Sequence, residues 1–257
     1  FTYAETLEAF RDAGAEVVFF SPLRDTALPE NIGGLYLPGG YPELHAKELS
    51  ENTSLLREIK QKIESGLPTA AECGGFLYLE QSLTDSEGQS WPMAGVLPGE
   101  AKDAGRLVRF GYAALSADSD SLLFRAGESF PIHEFHHWDS TANGTALAAK
   151  KPVGGAAWRC GFIDEHFYAG FPHLYWAGTP LPQRFAAAAG DEFFVRHTVH
   201  LPVKCNPIYY SIRRLLFEVQ TRDVFSLHRL SGVGIFITFR SNAALPAILH
   251  EFFIALF

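Results

Sequence analysis

The chain has 257 residues, 47% of them hydrophobic and 19% charged, a balance that excludes a disordered or fibrous protein and fits a globular one. A net charge of −8 gives no reason to expect nucleic acid as a partner. Three scattered cysteines (Cys73, Cys160, Cys205) supply neither a disulfide framework nor a CxxC zinc pair, no basic segment leads into an apolar one at the start, and no apolar run reaches the length of a bilayer span. A reducing cytoplasm is the expected compartment, with no membrane partner.

Residue 1 is Phe, just ahead of an amphipathic pattern, so the chain is expected to be a piece whose beginning lies upstream. Ala4 to Ala13 reads as a helix with Leu7 and Phe10 on one face and Gly14 as its stop. "EVVFF" (16–20) reads as a buried strand. "GLYLPGG" (34–40) is a strand running into a glycine turn. Asn52 is placed to cap a helix through Ser65, with Leu55, Ile59 and Ile63 at helical spacing and Gly66 ending it. "LPTAAEC" (67–73) is the next short strand, and Gly74 opens another helix. Strands alternating with helices predict a parallel sheet with helices on its faces. From about Arg106 the texture changes. "RLVRFGYAAL", "FPIHEFHHW" and "WRCGFIDEHFYAGFPHLYW" read as extended segments of an antiparallel or mixed portion.

After residue 194 the charge reverses, with seven Lys/Arg against three Asp/Glu, where the preceding residues carry 14 against 26. This composition shift near residue 194 marks a candidate boundary. Residues 191–257 stay unassigned, either as a small extra domain or docking segment or as non-native, poorly ordered sequence, and Cys205 reads as inert.

Cys73 carries the chemistry. A strand–Cys–Gly–helix junction lifts the sulfur out of the backbone, as the nucleophile turn of hydrolases lifts a serine. The following helix N-terminus favours thiolate, and the N–H of Gly74 can aim at the oxygen of a tetrahedral intermediate. "LPGGYPE" (37–43) follows a strand and should emerge at the same sheet edge. Gly39 and Gly40 are expected there in a φ > 0 geometry that turns backbone N–H groups into the site. A base is also needed. His173 follows a short extended run, while His133, His136 and His137 form a cluster. That cluster raises a metal site as an alternative, but it lacks a carboxylate or second cluster at ligand spacing, and no metal is assigned. A buried, hydrogen-bonded ring is the ordinary role for any one histidine, and a buried inert thiol the ordinary role for a cysteine at a strand end.

"SPLRD", "GLYLPGGYPELHAKEL", "AAECGGFLYL", "MAGVLPG", "RLVRFGY" and "HEFHHWDS" occur in this order. Together they resemble the glutamine amidotransferase domain of the cobyrinic acid a,c-diamide synthases, over about residues 1 to 190. The resemblance implies an α/β, flavodoxin-like class I amidotransferase fold, a mostly parallel sheet with helices on both faces and a mixed or antiparallel C-terminal portion. It implies Cys73 as nucleophile, His173 as its base, and Gly39, Gly40 and Gly74 around the oxyanion. Ordinary triad amidotransferases carry a Glu two residues after the histidine. Here that position is Tyr175, so a Cys–His pair without that Glu is implied. The motif residues Tyr41, Glu43, Glu72, Arg109, Tyr112, His133, Glu134 and His136 are placed near the site with no chemical step.

The implied partners are glutamine and, through the full-length enzyme, a corrin acid such as cobyrinate. ATP and Mg²⁺ are implied for an upstream synthetase domain or chain, since no GxxxxGK[ST] occurs here and no cofactor is assigned to this chain. The resemblance also implies that the domain's first strand is missing from this chain. Two other readings stay open. One is a sister amidotransferase acting on hydrogenobyrinate or another acid, such as a cell-wall lipid. The other is an inactive fragment that only binds a partner synthetase.

Overall fold

A computed structural model of the chain describes residues 2–190 together with Ala255 and Leu256. The expectations for residues 191–254, Cys205 among them, lie outside the described residues.

The central sheet has six strands in the order Phe19–Phe20, Ala255–Leu256, Leu35–Leu37, Thr69–Glu72, Phe167–Gly170, Phe162–Ile163. Its middle is parallel: Leu35–Leu37 pairs with Thr69–Glu72, and Thr69–Glu72 with Phe167–Gly170. The flanking pairings are antiparallel. All residues of Leu35–Leu37, Thr69–Glu72 and Phe167–Gly170 are buried, the pattern of strands covered on both faces. Alternation sorts their side chains. Leu35, Leu37, Ala71 and Ala169 enter one core with Leu55 and Ile59 of the helix Thr53–Glu64 and Phe76 of the helix Gly74–Tyr78. Tyr36, Ala70 and Tyr168 enter the other with Phe10 of the helix Ala4–Asp12 and Phe185 of the helix Leu181–Ala188. Helices therefore cover both faces of a mixed α/β sheet.

A second sheet is antiparallel throughout, in the order Ala157–Cys160, Leu147–Lys150, Arg109–Ala117, Ser129–His136, His173–Leu174. Its inner residues Leu115, Ile132 and Leu147 join the core on the Tyr36 side. A four-stranded sheet, Ser90–Pro92, Ser82–Thr84, Glu100–Asp103 and Trp138–Ser140, lies outside the sequence expectations, and its Leu83 and Ala101 join the core on the Leu35 side. After Phe167–Gly170 the chain leaves the central sheet and enters the antiparallel one at His173, so His173 sits at the switch between them.

Three local expectations need correction. Strand structure in "EVVFF" is confined to Phe19–Phe20, because Val18 and Phe19 are exposed at the sheet edge instead of buried. The helix at Thr53 begins without a side-chain cap. Asn52 Nδ2 instead donates to the carbonyls of Pro22 and Asp25, each at 2.8 Å, and so ties down the preceding loop. Gly39 and Gly40 have no left-handed φ. At Gly39 the missing side chain serves close approach instead.

Candidate active site

Cys73 follows the strand Thr69–Glu72 directly and precedes the helix Gly74–Tyr78. Its φ of 49° and ψ of −105° make it one of two non-glycine residues with positive φ among the described residues. Such a backbone costs on the order of 1–3 kcal/mol and persists only where surrounding structure enforces it. The enforcement is visible: Cys73 N donates to Gly170 O at 2.8 Å, and Gly75 N donates to Pro38 O at 3.0 Å. The helix start is pressed onto the loop after Leu37. A β-carbon on Gly74 would stand 2.6 Å from Gly40 N, and one on Gly75 would overlap Leu37 O. Backbone cannot yield as a flexible side chain can, so the Gly-Gly pair is what lets the loop 38–40 reach the nucleophile turn.

His173 reaches the same place from the neighbouring parallel strand. Gly170 pairs with Glu72, and three residues later the imidazole lies against Gly39, with Cε1 where a β-carbon would be and Nε2 3.1 Å from that point. His133 lies opposite His173 in the antiparallel sheet, with ring centroids 5.9 Å apart, and the exposed Tyr112 flanks His133 at the same separation.

Burial dominates the electrostatics. It pushes the Cys73 thiol up to about 12, helped by the charge of Glu43, while the N–H of Gly74 pulls the other way. The expectation that the helix end would favour thiolate is therefore overturned for the resting site. The helix has only five residues, and burial outweighs the pull of the Gly74 N–H. Burial likewise pushes His173 down to about 4, assisted by His133, so the ring is neutral at pH 7. The resting pair is thiol and imidazole.

Two buried carboxylates adjoin the pair. Glu43, in the 3-10 turn Pro42–His45, is pushed up to about 7 by burial. Glu72 is pushed up to about 7 by the same cause, offset by donors from Trp176, Tyr36 and Leu174. Those donors are Trp176 Nε1 at 2.8 Å and Leu174 N at 3.1 Å on Oε1, and Tyr36 OH at 2.9 Å on Oε2.

Glu134, His136 and Arg109 form a separate cluster on the other face of their hairpin. Trp158 Nε1 donates to Glu134 Oε1 at 3.2 Å, Arg109 Nε stands 3.9 Å from Oε2, and the guanidinium lies over the Trp158 ring. The His136 ring stacks on Phe171 at 3.7 Å, which links this cluster to the His173 turn by packing. Tyr41 is half exposed beside the glycine loop. Tyr36, Trp176 and Phe171 are not singled out by the sequence: they look like ordinary core aromatics, and only the topology brings them here.

Among the described residues no group of three or more His, Cys, Asp or Glu side chains is arranged to hold a metal ion, and no helix is long and apolar enough to cross a membrane.

Comparison with known proteins agrees with this geometry. Residues 1–180 match the CobB/CobQ-like glutamine amidotransferase domain. The cobyrinate a,c-diamide synthase of Caldanaerobacter subterraneus subsp. tengcongensis is 42% identical over 176 residues, covering 68% of this chain and 39% of that protein. The corresponding Synechocystis synthase is 46% identical over 141 residues, or 55% of this chain and 29% of that one. The hydrogenobyrinate a,c-diamide synthase of Thermobifida fusca is 37% identical over 198 residues, or 75% and 40%. The matched region thus spans about two-fifths of the length of most of these relatives. A Cys-Gly-Gly turn at the end of a parallel strand, a histidine delivered to the neighbouring glycine loop and a family match over most of the described residues lead to one conclusion: the chain belongs to the CobB/CobQ-like glutamine amidotransferase domain family.

Proposed function

We propose that this domain is the ammonia-supplying glutaminase of a cobyrinate a,c-diamide synthase in cobalamin biosynthesis. The observation that carries the reading is the enforced positive φ of Cys73 beside the glycine loop on which His173 rests.

The steps follow from the resting protonation. As glutamine enters and displaces water, the Cys73 proton passes to the neutral His173, and the sulfur bonds to the side-chain amide carbon. The carbonyl electron pair moves onto oxygen, which accepts from the N–H groups of Gly74 and the Gly39–Gly40 loop. Collapse of that intermediate breaks the C–N bond, and the imidazolium gives its proton to the leaving nitrogen, releasing ammonia. Water then attacks the γ-glutamyl thioester with His173 as base and regenerates the thiol. Loss of one oxyanion donor costs on the order of 3 kcal/mol of barrier. In a whole synthase the ammonia meets a corrin carboxylate activated with ATP and Mg²⁺ on a synthetase domain or chain, in the cytoplasm.

A hydrogenobyrinate substrate is the second reading, favoured by the Thermobifida fusca relative. Nothing in Cys73, His173 or the glycine loop discriminates between two corrin acids, since both use the same ammonia.

The test is labelling with 6-diazo-5-oxo-norleucine, a glutamine mimic, followed by peptide mass spectrometry. Selective modification of Cys73, blocked by excess glutamine and lost in His173→Ala, supports the reading. Labelling of Cys73 no greater than that of Cys160 and Cys205 would overturn it for this chain and leave the fragment reading standing.

A further inference from the structure

Glu72 precedes the nucleophile by one residue and has no role in the steps above. Its carboxylate is buried, and three donors arrive on it: two on Oε1, from Leu174 N and Trp176 Nε1, and one on Oε2, from Tyr36 OH. Two acceptor sites exist on each carboxylate oxygen, so Oε1 is saturated and Oε2 keeps one site open. His173 Nδ1 stands 3.8 Å from Oε2. Nδ1 is itself fully buried with no hydrogen-bond partner. Two unsatisfied capacities thus lie 3.8 Å apart, one accepting and one able to donate. Tyr175, two residues after the histidine, is 60% exposed and does not lie in this cage.

Building on the glutaminase reading, we propose that Glu72 is the positioning residue for His173: its Oε2 accepts the Nδ1 proton and fixes the ring in the tautomer whose Nε2 is free to take the Cys73 proton. The acid enters from the residue before the nucleophile rather than from two residues after the base. Glu72 moves no proton. The transfer remains from Sγ to Nε2, and the carboxylate offsets the positive charge that the ring then carries.

The cage makes a specific variant informative. In Glu72→Gln the donors of Leu174 and Trp176 hold the amide oxygen at the Oε1 position. The amide NH₂ then faces His173 Nδ1 and favours the Nε2–H tautomer, which cannot accept the thiol proton.

The experiment measures glutamine hydrolysis by the full chain, by Glu72→Gln and by Tyr175→Ala, with ¹⁵N-edited NMR of the histidine rings, His173 being assigned by its loss in His173→Asn. In the parent, His173 is expected to carry its proton on Nδ1. Glu72→Gln is expected to lose kcat by on the order of 10²-fold with KM for glutamine little changed, and to move the His173 proton to Nε2. Tyr175→Ala is expected to stay within about twofold of the parent, as suits an exposed side chain. An Nε2–H His173 in the parent overturns the inference even if the Gln variant does not fold. So does a folded Glu72→Gln with unchanged kcat beside an active parent. A parent that turns over no glutamine overturns the glutaminase reading itself, and this inference with it.

Discussion

His173 rests its imidazole on the α-carbon of Gly39, in the space that a β-carbon there would fill. The imidazole is thus held on one side by a residue that has no side chain. Gly39→Ala is expected to push the ring away from its place and abolish most glutaminase activity, by about 10²-fold or more, while overpacking costs about 1–3 kcal/mol of stability. Thermal unfolding measured beside ammonia release separates the two effects. Full activity in a folded Gly39→Ala would show that the ring is positioned by something else.

Gly74→Ala meets peptide atoms instead of a ring, at 2.6–2.8 Å from the Gly40 backbone. Neither partner can rotate away. The loop must retreat from the nucleophile turn, so the variant is expected to lose labelling of Cys73 by the glutamine mimic more completely than Gly39→Ala, while far-ultraviolet circular dichroism stays close to that of the parent. Wild-type labelling rates in this variant would refute a role for the Gly40–Gly74 approach.

The Cys73 thiol, raised to about 12 by burial and then by Glu43, should react slowly with iodoacetamide at pH 8 in the free protein. The glutamine mimic should modify it far faster than its intrinsic electrophilicity predicts, since the ligand itself excludes water and draws the proton to His173. A pH–rate profile for alkylation that breaks near pH 7 would mean the resting site already holds thiolate.

Glu80 supplies a pH test of stability independent of catalysis. It is fully buried, its Oε1 accepts a hydrogen bond from Ser140 Oγ, and its Oε2 has no partner. Burial pushes it up to about 8. Its folded value lies above the unfolded one of about 4.3, so its contribution to stability is complete below that unfolded value and is lost as pH rises towards about 8. Glu80→Gln, which cannot ionise, should therefore gain on the parent by at most about 1.4 kcal/mol per pH unit across that window, with the advantage levelling off above it. Denaturant unfolding of both chains at pH 5 and pH 8.5 measures this. A difference that does not change with pH would mean Glu80 is ionised throughout.

Much of this is legible in the sequence alone. Cys73 followed by two glycines announces a close approach, and a Pro-Gly-Gly loop one helix earlier announces its partner, because parallel strands deliver their following loops to one edge. What could not be read was which side of each motif would bear on the other. Gly39 and Gly40 are expected for their φ, whereas the positive φ of the site falls on Cys73. Asn52 has the sequence context of a cap, yet its amide reaches the carbonyls of Pro22 and Asp25, a loop 27 to 30 residues away. Tyr36 and Trp176 sit in apolar runs like any core aromatic, and only the pairing of Leu35–Leu37 with Thr69–Glu72 and the turn after Gly170 bring both onto Glu72. The four-stranded sheet was missed because three- and four-residue strands leave too short a period to register.

The strand Thr69–Glu72 ends with Glu72 on one face of the sheet and hands over to Cys73 on the other. Glu72 and Cys73 are thus consecutive residues, with α-carbons about 3.8 Å apart by covalent geometry alone. Packing sets most distances in an active site, and packing breathes. Here the chain itself is the ruler between two of the three groups, and only His173 arrives through the fold. Loosening the sheet would therefore misplace the His173 ring first and leave the other two in step, so the approach of His173 is the distance on which the proposed glutaminase chemistry turns.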